Sequence, residues 1–231
     1  MADSSEEERE KRRQSFLDWD IEKELPGKIG DYSLHRMDVQ DHGIYRAFGY
    51  TGQQHGWTVQ AIFDEETMDY MVKTDFRLFT LTDIDMITGD FSAFRKSADR
   101  LLTLHIQREL IDRGKVSVLV RGRAFTVWNY QSVCPEHVRE FTRVIDPSAP
   151  VLGLNGSYVI AAYESQKDRA GLLFFYNIYR NEYYGEMRKN GVPVIIHQYD
   201  AHSTEELESA IADHMERDLM QLAGDSLSQK M

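Results

Sequence analysis

The chain has one cysteine, Cys134, among 231 residues, so no disulfide can close within it. No apolar run approaches the ~18 consecutive residues that a membrane-spanning helix needs. The runs present, such as Leu172 to Tyr176, are the size of a strand. The N-terminus, Met-Ala-Asp-Ser-Ser-Glu-Glu-Glu, is acidic where a secretory signal would be basic and then apolar. These absences set the expectation of a soluble, cytoplasmic protein. Chemical motifs are missing too. There is no P-loop, no G-x-G-x-x-G after a strand, no G-x-S-x-G elbow, no H-E-x-x-H and no C-x-x-C. No cofactor is therefore expected, and the enzyme classes that carry those motifs are disfavoured.

What is present suits a folded core: 42% of residues are hydrophobic and 11% aromatic. The net charge of −11 lies at the ends. Residues 1–24 hold nine acids against five bases, and residues 200–231 hold eight acids against two. Nucleic-acid binders and anionic-membrane binders need clustered Lys and Arg. Here Lys11-Arg12-Arg13 is flanked by Glu6, Glu7, Glu8 and Glu10. Neither nucleic acid nor membrane is expected as a partner; a protein or a small molecule is.

Periodicity predicts a helix over 5–25, with Ser5 and Glu8 as a capping box and an apolar end at Phe16, Leu17, Trp19, Ile21 and Leu25. Strands follow at 32–39, 44–50 and 57–63, then one long extended strand over 71–84. A helix capped by Thr88 or Asp90 runs to about Asp112. Residues 116–120 and 125–130 read as a hairpin around Arg121-Gly122-Arg123, and Pro135 as the start of a short helix. Further strands occupy 158–163, 172–179, 182–189 and 192–199. Asn190-Gly191 is the strongest hairpin signal, because both turn positions require positive φ. Ser203 with Glu206 opens a last helix to about Ala223.

Three ordered matches suggest an internal duplication. Gly43–Tyr50 matches Gly156–Tyr163 at an offset of 113, residues 56–85 lie over 171–200 at 115, and 105–110 over 214–219 at 109. The predicted fold is α+β: two tandem strand-strand-strand-helix units with antiparallel sheets and helices covering one face, plus an N-terminal helix. The predicted division is 1–25 as an acidic helix, 26–145 as the first unit with a hairpin extension, 146–223 as the second unit, and 224–231 as a disordered tail. A groove between the copies is the expected binding site.

Four groups of residues invite a chemical reading. Cys134 and His137, at a helix N-terminus, would make a thiolate nucleophile and its base; the plainer reading is a cap before proline. His197, Asp200 and His202 offer metal-ligand chemistry, against a polar strand end leading into a helix. His105 and His214 sit at matched repeat positions as a pH-sensing or metal-binding pair, or as core histidines. Asp83 and Asp85 alternate on a strand end as an acid/base pair, or serve the turn. Tyr179, Tyr183 and Arg188 would form a protein-binding patch if one face of the aromatic strand region is exposed. In the order of its elements alone, the chain is similar to the chaperones that escort secreted bacterial effectors, which implies protein binding. The expectation is a non-catalytic, adaptor or chaperone-like binding module, with a cysteine-dependent enzyme using Cys134 and His137 as the rival.

Overall fold

The computed structural model describes residues 2–118 and 120–228, with side chains over 6–118 and 120–224. The chain divides into two compact units, Met1–Ile111 and Asp112–Met231. Both combine an antiparallel sheet with helix. Among the described residues, no helix is long and apolar enough to cross a membrane.

The first unit opens with helix α1 (Ala2–Leu17) and a short helix α2 (Ile21–Glu24). The break at Asp18–Asp20 divides the single helix predicted over 5–25. Ser5 lies outside the described side chains, and Glu8 is engaged by Arg12 Nε at 3.0 Å. Helix α1 is almost wholly polar, so its docking rests on a few contacts. Phe16 is fully buried and meets the rings of Tyr45, Phe48, Tyr70, Phe91 and Phe94. Arg12 donates to the carbonyls of Met68 and Gly89, and Arg13 to Glu65.

The strands β1 (Lys28–Ile29), β2 (Tyr32–Asp41), β3 (Ile44–Gly52), β4 (Thr58–Asp64), β5 (Asp69–Asp75) and β6 (Thr80–Thr88) then pair in sequence order as an antiparallel meander. His42 and Gly43 both take positive φ, which closes the β2–β3 hairpin in the expected place. The strand predicted over 71–84 is in fact two. Asp75 Oδ1 accepts the Arg77 N–H, Arg77 takes φ 71°, and the rings of Phe76 and Phe79 stack at 4.8 Å, so the chain reverses without glycine or proline. Asp90 caps helix α3 (Phe91–Ile106) through a 2.6 Å bond from the Ala93 N–H. Phe94, Ala98, Leu102 and Ile106 form its buried stripe, and a π-helical turn at Gln107–Ile111 ends the unit.

The second unit claims residues 112–145, which the sequence reading gave to the first. Val120, Phe125, Tyr130, Cys134 and Phe141 all enter its core, and that burial draws the segment in. Among the described residues the predicted hairpin over 116–130 does not form; turns and a 3₁₀ turn at Ala124–Thr126 stand in its place. Its apolar residues act singly: Phe125 packs on Tyr158 and Tyr176, while Val118 and Val127 are exposed. No helix begins at Pro135 either. The carbonyls of Cys134, Pro135 and Glu136 accept from the Arg143 side chain, the Tyr163 hydroxyl and the Arg143 amide. Carbonyls committed to the sheet do not build a helix.

Strands β7 (His137–Val138), β8 (Phe141–Ile145), β9 (Val151–Leu152), β10 (Ser157–Ser165), β11 (Ala170–Asn177), β12 (Glu182–Lys189) and β13 (Val192–Ala201) follow. The sheet order is β13-β12-β11-β10-β8-β7, with β9 also on β10. Asn190 (φ 52°) and Gly191 (φ 81°) make the predicted two-residue hairpin. Helix α4 (Thr204–Ser228) presents Leu207, Ile211, Met215, Leu219 and Leu222 to the core. Its capping box is half as expected. Ser203 Oγ accepts the Glu206 N–H, but the Glu206 carboxylate reaches the His202 N–H. Helix α4 extends past the predicted end at Ala223, and residues 229–231 of the predicted tail lie outside the described residues.

The last strand of each sheet carries the same irregularity. In β6 the pairing passes from Val72–Asp83 to Tyr70–Thr88, so residues 84–87 face Met71 alone. In β13 it passes from Gly185–Ile196 to Tyr183–Ala201, so residues 197–200 face Tyr184 alone. Within each bulge one side chain turns into the core, Met86 in β6 and Tyr199 in β13, and its neighbours on either side do not. Tyr199 packs edge-on to Phe174 at 5.0 Å and fills the space over Gly185. A Cβ built on Gly185 would lie 2.6 Å from the Tyr199 ring. Gly185→Ala should therefore destabilise the protein by about 1–3 kcal/mol, read as a lower urea midpoint. An unchanged midpoint would show that the ring is not held over Gly185.

Candidate functional site

The bulge in β13 forms one side of an open cavity of about 590 Å³ in the second unit. Ser157, Asn177, Arg180, Glu182, Tyr184, Ile195, His197, Asp200 and His202 contribute to its lining. A regular strand would send residues i and i+3 to opposite faces. The bulge removes that alternation, and His197 Nδ1 lies 2.8 Å from Asp200 Oδ2. Across the cavity, Tyr184 stacks flat on Phe175 at 4.8 Å and donates to Ser157 Oγ, which also accepts from Asn177. Burial raises the Tyr184 pKa, and the Ser157 bond opposes the rise. Arg180 pairs with Glu182 at 3.0 Å.

The structure thus brings together His197 and Asp200, with His202 on the same cavity. Among the described residues, no group of three or more His, Cys, Asp or Glu side chains gathers as a metal site. The His197–Asp200 pair offers hydrogen-bonding groups to the cavity. Ser157 shares the cavity with the imidazole, but its oxygen is engaged by Tyr184 and Asn177, which are donors rather than bases.

The predicted partner-binding trio is dispersed. Tyr179 lies in the β11–β12 turn, 79% exposed, with its ring against Gly156. Tyr183 is only 2% exposed and belongs to the core. Arg188 stands an odd number of residues further along β12, on the opposite face, paired with Glu186. No continuous Tyr179–Tyr183–Arg188 patch forms, because strand alternation separates the last two.

Cys134 and His137 are also apart in character. Cys134 is fully buried, without a helix to lower its pKa, and burial pushes the thiol up to about 12. His137 is exposed and bonded to Thr142 at 3.2 Å. The activated-thiolate premise is reversed.

A second polar group, not assembled in the sequence reading, spans β5, β6 and α3. His105 sits with Nδ1 2.9 Å from Asp83 and Nε2 2.8 Å from Thr74 Oγ1. This is a hydroxyl–imidazole–carboxylate order, as in a catalytic relay, but Thr74 is buried where no substrate reaches it. Asp85 does not pair with Asp83 as an acid/base dyad; it lies in the bulge and gives its N–H to Asp83. His214 has different surroundings from His105. It contacts Arg217 at the helix surface, while Asp218, one turn later, is the buried group that receives Tyr199 and Gln198.

Comparison with protein families, curated proteins and solved structures finds no match.

Two outcomes are expected here. Cys134 should resist alkylation in the folded protein and react fully in denaturant; labelling of the native chain below pH 9 would contradict its burial. The Asp83 carboxyl is held below its ordinary value of 3.8, first by the His105 hydrogen bond. A depressed folded value gives stabilisation that is present above the ordinary carboxyl range and lost as pH falls through the lowered value. Asp83→Asn should flatten that acid-side loss in unfolding experiments, and superimposable acid profiles would contradict the pairing.

Proposed function

We propose that the protein is a non-catalytic binding module, adaptor or chaperone-like, whose recognition surfaces are the bulged last strands of two duplicated units. Element starts support the duplication. Strands begin at 157, 170, 182 and 192 against 44, 58, 69 and 80, and helices at 204 against 91, an offset of 112 or 113 each time. The bulges support it further. Those in the last strands match at 113, and so do the register shifts spanning Ala47 and Ile160. On this alignment the repeat is four strands and a helix, one strand more than the sequence matches suggested.

The observation that carries the reading is what the bulges expose. At the positions where β13 holds His197 and Asp200, β6 holds Ile84 and Ile87, and Ile84 is 73% exposed. Exposed isoleucines beside the exposed carboxylate of Asp85 suit a partner with an apolar contact surface rimmed by Lys or Arg. The polar bulge of β13, with its cavity, suits a polar side chain or small polar molecule. A cysteine enzyme gains no support from a buried thiol of raised pKa.

The test is native co-purification of the tagged protein from its own cells, in parallel with an Ile84→Glu/Ile87→Glu variant. Exposed positions tolerate such changes within about 0.5 kcal/mol. The expected result is a stoichiometric protein partner that the variant loses about tenfold or more, at unchanged thermal stability. Identical recovery by both proteins would overturn the assignment of the β6 surface.

A further inference from the structure

A second cavity in the second unit, of about 510 Å³, lies between α4 and the outer two strands and differs in chemistry from the first. Alternation along β13 sends Ile195 to the first cavity and Val194 and Ile196 to this one. The β12–β13 register sets Val194 opposite Met187 and Ile196 opposite Gly185, so their side chains share the face that α4 covers. The cover is incomplete. Leu222 of α4 is buried here, but Met187 and Ile196 are only half-buried and Val194 stays 56% accessible. The result is an apolar groove with an open side.

The polar groups at the two ends of this groove are unlike. At one end Asp218 is 2% exposed and already receives the Tyr199 hydroxyl at 2.6 Å and the Gln198 amide at 2.9 Å. At the other, one turn further along α4, Lys189 reaches across from β12 and donates to the Leu222 carbonyl at 3.0 Å. That bond uses one proton of the ammonium; it fixes the cation at the rim and leaves the other protons for a ligand. Among the described residues no carboxylate pairs with Lys189. Arg217 adds a second positive charge from the exposed side of α4, while Arg188 is neutralised by Glu186. The groove thus sets two cations against one inward-turned carboxylate, in a chain of net charge −11.

We propose that this groove binds an aliphatic carboxylate of medium chain length, with its head on Lys189 and its tail along Met187, Val194 and Ile196. The apolar floor gains from each methylene that it takes out of water. The ammonium at the rim gains a charge-assisted hydrogen bond. A cationic amphiphile would meet Lys189 and Arg217 as like charges, and an uncharged one would forgo the bond to Lys189. The site is separate from the partner-binding surface on β6, and the proposal does not depend on that reading.

Isothermal titration calorimetry of the full chain with decanoate, hexanoate and decyltrimethylammonium, all below micelle formation, tests it. The expected result is saturable, one-to-one binding of decanoate. Each buried methylene gives about a fourfold gain in affinity, so hexanoate should bind at least about tenfold more weakly. Lys189→Gln and Val194→Glu should each weaken decanoate by about tenfold or more. Val194 is exposed, so its substitution leaves the core intact. The Ile84→Glu/Ile87→Glu variant should bind decanoate as the unaltered protein does. No saturable binding of decanoate, equal binding of decyltrimethylammonium, or undiminished binding by either groove variant would each overturn the proposal. Loss of decanoate binding in the Ile84→Glu/Ile87→Glu variant would place the ligand on β6 and overturn it as well.

Discussion

Tyr199 is the residue on which the second unit's exposed surface depends. A strand alternates its side chains between two faces, and a large aromatic that must be buried out of step can be accommodated only by extra residues. Tyr199 is wholly buried, edge-on to Phe174, above a glycine that leaves room for its ring, and its hydroxyl donates to Asp218 at 2.6 Å. The chain bows around it. His197 and Asp200, on either side, are thereby brought to one side and meet. The cavity is thus a consequence of a core requirement, and His197–Asp200 is placed by a residue that no ligand would touch.

The polar groups between last strand and helix, half-buried in the first unit and centred on buried Asp218 in the second, follow a related logic with the partners exchanged. In the first unit the helix supplies an imidazole, His105, and the strand a carboxylate, Asp83. In the second the helix supplies a carboxylate, Asp218, and the strand a phenol and an amide, Tyr199 and Gln198. Removing one member of such a group leaves a buried polar atom unsatisfied, which costs more than the intact bond contributes. Each group therefore specifies how its helix registers on the edge strand, a job that apolar packing alone does loosely.

Much of the local structure was legible because specific residues require specific backbone geometry. Asn190-Gly191 gave its hairpin, Asp90 its cap, and the Leu207–Leu222 stripe its helix. The failures have equally local causes. The reversal at Phe76–Phe79 uses Arg77 at positive φ, so no glycine or proline announced it. Residues 116–130 read as a hairpin, yet Val120, Phe125 and Tyr130 enter the core singly while Val118 and Val127 stay exposed. The bulges are set by long-range burial of Met86 and Tyr199, which no local pattern reports. Identical letters aligned His105 with His214, whereas the alignment proposed above from pairing register and element starts would set Asp218 against His105, one helical turn away.

The central claim is that the Tyr199–Asp218 bond anchors the bulge to helix α4. A double-mutant cycle with Tyr199→Phe and Asp218→Asn, read by urea unfolding, tests it most directly. A buried hydrogen bond to a carboxylate predicts a coupling energy of about 1.5–3 kcal/mol. Strictly additive effects of the two substitutions would contradict it, and the bulge would then need another anchor.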